Sequence, residues 1–188
     1  MLAQKNIVLA IVMKAVETLE TIRTDQRGVS AVEFSLFAGL LSLGVLNTAD
    51  VSIYIYKRME LENATQMGAQ AAWKTCDPNH LPATTKCPGL INAVTTAVQS
   101  TSLGTQVSLQ SGSPSEGYYC VNSSNALQYV SPISSKPKDC TAAGMPALQP
   151  ADYIQIQTAF SYSPLFPGVT VASMLQTPIT KTALMRLE

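Results

Sequence analysis

Residues 27–49 read RGVSAVEFSLFAGLLSLGVLNTA, and the 21 residues from 29 to 49 form an apolar run with a single charge, Glu33. As a helix the run would reach about 31 Å at ~1.5 Å per residue, matching the ~30 Å hydrocarbon core of a bilayer. The expectation is a membrane-crossing helix. A carboxylate inside such a segment costs about 2.5–3.5 kcal/mol on insertion scales, so Glu33 asks for a cationic partner. Snorkelling of Glu33 to nearby headgroups is the plainer alternative. A cut after Gly28 would place a new α-amine on Val29, four residues before Glu33. In a bundle of such helices, the amine of one subunit would pair with Glu33 of its neighbour.

The segment Arg27-Gly28-Val29-Ser30-Ala31-Val32-Glu33-Phe34 resembles the processing site of Tad (tight adherence) prepilins. There a prepilin peptidase cuts after Gly, and Glu occupies the fifth mature position. Glu33-Phe34 is the pairing common in the longer TadE and TadF proteins, whereas the short Flp-type major pilins usually carry Glu-Tyr. Leu61-Glu62-Asn63-Ala64 is similar to TadE-like proteins as well. So is the closing segment from Tyr153 through Pro164-Leu165-Phe166-Pro167 to Leu187. The resemblance covers residues 27–73 closely and 151–188 loosely. It departs from type IVa pilins, whose mature chain begins with Phe where this one has Val29.

The resemblance implies a structural minor pilin or pseudopilin, processed after Gly28, that takes part in assembling a Tad-type pilus for surface adherence. Gly28 and Val29 would flank the cut, and Glu33 and Phe34 would serve assembly. The implied partners are the prepilin peptidase, major and minor pilins of the same system, the inner-membrane assembly platform and membrane lipid. No cofactor is implied. The organisation would be a cytoplasmic leader at 1–28, the span at 29–49, an extended helix at 50–75 and a periplasmic or extracellular head at 76–188. Two rival classes are an uncleaved single-pass protein whose periplasmic head binds a ligand or partner, and a membrane-tethered thiol or hydrolytic enzyme.

Composition agrees with an exported, membrane-anchored chain. Charged residues make up 13%, about half the usual ~25% of globular domains. The formal net charge is zero, leaving no basic surplus for nucleic acid and no acidic tail. The 188 residues suffice for one span and one modest domain.

Cys76, Cys87, Cys120 and Cys140 all follow the apolar run, which suits disulfides in an oxidising compartment. Three connectivities are open, and sequence proximity favours Cys76 with Cys87 and Cys120 with Cys140. Their spacings of 11, 33 and 20 residues do not resemble a zinc site. Charge alone orients the span weakly, with Lys14, Arg23 and Arg27 before it against Lys57 and Arg58 after it. The cysteines decide the matter. Their side becomes periplasmic or extracellular and the first 28 residues cytoplasmic, and the resemblance implies a bacterial inner-membrane location with transfer to the pilus on assembly.

Lys5 and the apolar residues 7–13 imitate a secretory signal, but that stretch is short and lacks a small-x-small cleavage site before Glu17. Leaders in the family resembled are often short, which raises a translation start at Met13. All 11 prolines lie at or after Pro78, so a continuous helix is permitted from 29 to about 73. Tyr54, Leu61, Ala64, Gly68 and Ala71 define one face of it, interrupted by Lys57. That face suits docking on the chain's own head and packing against other pilin helices alike. Arg58 and Glu62, four apart, could form a weak exposed ion pair.

The fold class expected is α+β, a long N-terminal transmembrane helix leading into a small β-rich, disulfide-stabilised head. Leu90, Val94, Ala97 and Val98 follow helix spacing, and Val107 with Leu109 marks a short strand within 106–110. Residues 152–163 alternate strictly, with Ile154, Ile156, Thr158, Phe160 and Tyr162 on one face, as a half-buried strand does. Residues 180–187 and 118–121 supply further strands, with long loops at 111–117 and 131–150. Catalytic patterns are sparse. His80, the only histidine, reads as an exposed loop residue. Asp77, Glu116, Asp139, Asp152 and Glu188 include no close pair suited to hydrolysis or calcium, so an enzyme is not expected. Asn63 and Asn122 begin glycosylation tripeptides that are common by chance. Tyr118, Tyr119, Tyr129 and Trp73 could line an adhesive surface, although aromatics in a small head are more often core.

Overall fold

The computed structural model describes residues 26–187 apart from Asp77. Expectations about the leader before residue 26, the start at Met13 and the signal-like residues 7–13 lie outside the described residues. Two compact units divide the chain, Met1–Thr48 and Ala49–Glu188.

Helix α1, Gln26–Thr75, contains no proline and ends before the first one. In the first unit its side chains from 28 to 37 are all exposed, Val29, Phe34, Leu36 and Phe37 among them. Four polar side chains along this stretch return their donors to the helix. Ser35 donates to the Val32 carbonyl at 2.8 Å, Ser42 to Ala38 at 2.7 Å, Asn47 to Leu43 at 2.8 Å and Thr48 to Gly44 at 2.9 Å. Such back-bonding removes the penalty that unsatisfied donors meet in hydrocarbon. One helix of the described residues is thus long and apolar enough to cross a membrane.

In the second unit, α1 is followed by two short helices and a five-stranded antiparallel sheet. These are α2, Ala83–Lys86, and α3, Leu90–Gln99; β1, Val107–Leu109; β2, Ser115–Val121; β3, Leu127–Pro132; β4, Ala151–Phe160; and β5, Ile179–Arg186. The expected α+β class is what the chain adopts.

Strand β4 is the centre. β5 pairs with it from Phe160↔Ile179 to Tyr153↔Arg186. Its other edge is shared end to end by β1, through Leu109↔Thr158, and β2, through Ser115↔Gln155, with β3 outside β2. The intervening segment keeps the edge satisfied, because Gln110 N–H donates to the Gln157 carbonyl at 2.9 Å and the Ser113 hydroxyl accepts from Gln157 N–H at 2.8 Å.

Burial along β4 alternates as its sequence requires, with Asp152, Ile154, Ile156, Thr158 and Phe160 all inward. The core packs that face against α3, through Leu90, Val94 and Val98, and against Leu61, Ala64, Ala69 and Ala72 of α1. Gly68 marks the closest approach. A Cβ there would lie 2.6 Å from Val98 Cγ2 and 3.5 Å from both Ile156 Cγ2 and Val94 Cγ1. Inside this apolar layer the hydroxyls of Thr65 and Thr158 meet at 2.6 Å, and Thr65 also donates to the Leu61 carbonyl.

Several expectations are corrected. The close partner of Glu62 is Lys181 of β5 at 2.6 Å, a tertiary contact, with the charge of Arg58 adding a weaker attraction. Residues 115–117 belong to β2, and β3 occupies part of what was expected to be loop. The expected strand over 152–163 ends at Phe160. Trp73 and Tyr129 are exposed at 54% and 53%, not in the core, whereas Tyr119 is buried between Tyr129 and Tyr153. Glu116 is a structural acid. Its carboxylate accepts from Ala83 N–H, Thr84 N–H and the Thr84 hydroxyl at 2.7–2.9 Å, tying β2 to α2.

Candidate functional site: the processing junction and the Asp50 anchor

Gly28 and Val29 lie near the start of α1, both exposed, and Glu33 and Phe34 follow on the same exposed helix. A Cβ at Gly28 would meet nothing within 4 Å, and Gly28 is not among the glycines with positive φ. Neither packing nor backbone conformation therefore calls for glycine at this position. Around it the helix presents Val29, Val32, Phe34, Leu36 and Phe37 at 60–75% exposure, an apolar surface without a partner from the described chain.

The cysteines form two disulfides, Cys76–Cys87 and Cys120–Cys140. The first ties the residue after α1 to the residue after α2. The second ties the end of β2 to the loop before β4, beside Ala143 and Val130. Asn122, which begins one of the glycosylation tripeptides, accepts from Ser124 N–H and Ala126 N–H in the β2–β3 turn. His80 is exposed, in a short helical turn over Pro78–His80.

Asp50 is the residue directly after the apolar run 29–49. In the structure it is fully buried, and four donors converge on its carboxylate. Leu165 N–H donates to Oδ1 at 2.9 Å, and the Tyr162 hydroxyl reaches Oδ1 at 2.9 Å and the Asp50 carbonyl at 3.1 Å. The Thr170 hydroxyl donates to Oδ2 at 2.5 Å, with Phe166 N–H at 3.4 Å. Burial pushes the Asp50 carboxyl up, but the donors from Thr170, Leu165, Tyr162 and Phe166 together outweigh it and hold the group below the ordinary carboxylate value. Burial, and then the bond to Asp50, pushes the Tyr162 phenol up to about 12.

One turn along α1, Tyr54 packs edge-to-face on Tyr162 with ring centroids 5.2 Å apart and donates to the Gln176 carbonyl at 3.2 Å. The segment between β4 and β5 is thus stitched to the helix at Asp50 and Tyr54. The signal was present in the sequence as a lone acid closing an apolar run and a Tyr-Ser-Pro-Leu-Phe-Pro-Gly stretch, but nothing local connects the two. Further along α1, Glu60 accepts from Ser102 and pairs with Lys57 at 3.2 Å. The Ser102 bond and then Tyr56 and Lys57 hold its carboxyl low against burial.

These features define a class: a single apolar helix followed by a disulfide-tied α+β head. Residues 28–70 match the family model described as TadE-like protein. The match begins at Gly28 and takes in Glu33, Phe34, Asp50 and the head-facing residues up to Gly68, in agreement with the resemblance carried by residues 27–73. It ends before the disulfides and the sheet. No curated protein and no solved structure gives a significant match to the chain.

Proposed function

We propose that this chain is a structural minor pilin or pseudopilin of a Tad-type pilus, cut after Gly28 and held by residues 29–49 in the inner membrane with its head in the periplasm. The observation that carries the reading is the coincidence of two features at one point: the family match starts at Gly28, and the glycine has no packing or backbone role there, on a helix whose side chains are exposed from 28 to 37. Glycine gives a peptidase an unencumbered scissile bond. The amine it would free on Val29 is the natural partner of Glu33 on an adjoining subunit, removing the cost of an unpaired carboxylate in lipid.

The helix past Asp50 supports assembly as well. While one face docks on the head, Ile55, Tyr56 and Met59 stay 51–61% exposed within little more than a turn, an apolar surface suited to a second pilin helix. The two disulfides suit a head that folds in an oxidising compartment. The test is N-terminal sequencing of the protein purified from its native host, with and without its prepilin peptidase. A mature terminus of Val29-Ser30-Ala31 that requires the peptidase is expected; a chain retaining residues before Gly28 in both strains overturns the proposal.

A further inference from the structure

From Ser161, the first residue after β4, to Thr180, the second residue of β5, the segment carries no charged residue. Its middle exposes Leu165, Phe166, Val169, Val171 and Met174 at 36–86% of their surface. Five large apolar side chains left in water within ten residues form a contiguous sequence patch of the kind that marks an interaction surface. The loop is not loose. Leu165 N–H, Phe166 N–H and the Thr170 hydroxyl bind the Asp50 carboxylate, while Thr170 and Ala172 turn inward. Its backbone is pinned and its apolar side chains are turned out.

What the loop is pinned to names the occupant. Asp50 is the residue directly after the apolar run 29–49. If that run spans the bilayer, covalent continuity alone puts Asp50 at the membrane boundary, and the backbone at 165–170 lies within one hydrogen bond of its carboxylate. None of the residues 161–180 is charged, so seating the loop in the interfacial layer buries no ionised side chain. We infer that the loop 165–174 is a second membrane contact, immersing its apolar side chains in the interfacial layer of the leaflet on the head side. Asp50 then acts as the clamp that holds the loop at the right depth. The contact would fix the head against the membrane surface before the subunit is extracted, a monotopic attachment added to the span.

The inference rests on the proposed span, and the experiment separates the two. Trp73 is the only tryptophan, so Trp73→Phe gives a silent background in which Leu165→Trp reports the loop and Leu41→Trp reports the middle of the span. Met174→Trp, at an 86% exposed site that does not touch Asp50, reports the loop independently should Leu165→Trp disturb the clamp. The full chain is reconstituted into phosphatidylethanolamine–phosphatidylglycerol vesicles whose acyl chains carry bromine either near the headgroup or near the tail end. The span reporter is expected to lose emission most with deep bromines, and both loop reporters with shallow ones. Loop reporters that respond to aqueous acrylamide and not to bromolipid, beside a quenched Leu41→Trp, overturn the loop contact and leave the span standing. Loop reporters shielded from acrylamide yet indifferent to bromolipid mean that protein covers the patch, a second copy of this chain included, and overturn it too. No bromolipid response at Leu41→Trp overturns the span and the loop contact with it.

Discussion

The Tyr162 hydroxyl shares its proton between the carboxylate and the main-chain carbonyl of Asp50, joining two residues 112 positions apart at the first turn beyond the apolar run. A buried carboxylate with four donors is a device that holds a loop to a helix, and its strength follows the ionisation state of one acid.

The Asp50 carboxyl is held below its ordinary value in the folded chain, whereas unfolded it titrates near ~3.9. Ionised Asp50 therefore contributes its full stabilisation above about pH 4 and loses it as the pH falls through the folded value. Asp50→Asn should unfold at lower temperature than the native chain by a gap that is constant from neutral pH to about pH 5 and narrows in stronger acid. Circular-dichroism melts across that range check it; a gap that grows on acidification would contradict the clamp. At the alkaline end the sign reverses. Tyr162 is raised to about 12, so its contribution is intact below ~10 and is lost as the pH climbs from there to the folded value. Absorbance titration should find a late-ionising phenol near 12 that is missing from Tyr162→Phe.

The Thr65 and Thr158 hydroxyls satisfy each other in an otherwise apolar layer, both essentially inaccessible to water. Thr65→Val leaves the Thr158 hydroxyl buried without that partner, an omission that costs about 1–3 kcal/mol. Replacing both by Val removes two polar groups of matched shape together and should recover most of the loss. Denaturant unfolding of the four members of the cycle decides the point, and additive losses would show the pair to be uncoupled.

Gly68 sits where α1 meets Val98, with 2.6 Å left for any Cβ. Overpacking a closed core costs about 1–3 kcal/mol, against a helix-propensity gain of roughly 1 kcal/mol for replacing glycine by alanine. Packing should win, making Gly68→Ala destabilising by about 1 kcal/mol. In a Val98→Ala background the obstructing methyl is gone, and the same substitution should become stabilising. A change of equal sign in both backgrounds would refute this account of the glycine.

How far the sequence foretells such contacts depends on whether a residue's environment is local. Strand β4 was legible because burial on one face imposes period two on Ile154, Ile156, Thr158 and Phe160. The docking face of α1 was legible because close approach to another element selects Ala and Gly. Strand β3 was not, since all six of its residues are exposed or half-buried and its place is set by hydrogen bonding to β2 rather than by an apolar stripe. Glu62 shows the same limit: Arg58 stands four residues away, but the partner found is Lys181, 119 residues on. Of the candidate site, the junction at Gly28 and the charge at Glu33 could be read from adjacent residues. Asp50 could not, because its donors come from a loop more than a hundred residues later.

The two disulfides differ in access. Cys120 and Cys140 are 2% and 0% exposed, whereas Cys76 is 5% exposed and its partner Cys87 is half-buried. The rings they close span 11 and 20 residues, which separates their closure entropies by only about 0.5 kcal/mol, so access decides. Mild reductant with alkylation of native protein should label Cys76 and Cys87 first. Peptide mapping that finds Cys120 and Cys140 labelled earlier would reverse the order.

Glu33 is where folding and assembly make opposite demands. In an isolated helix its carboxylate is a cost of up to about 3 kcal/mol to insertion, so Glu33→Ala should leave the membrane-bound amount unchanged or raised. On the proposed reading, the same carboxylate in an assembled fibre would neutralise the amine that processing frees, and its loss would leave that amine without its partner between packed helices. Glu33→Ala is therefore expected to be cut and inserted normally yet absent from sheared pili, whereas Gly28→Leu should accumulate uncut in the membrane. Immunoblots of membrane and sheared fractions distinguish the two failures. Normal recovery of Glu33→Ala in the sheared fraction would remove the pairing of Val29 and Glu33 from the account, even with processing after Gly28 intact.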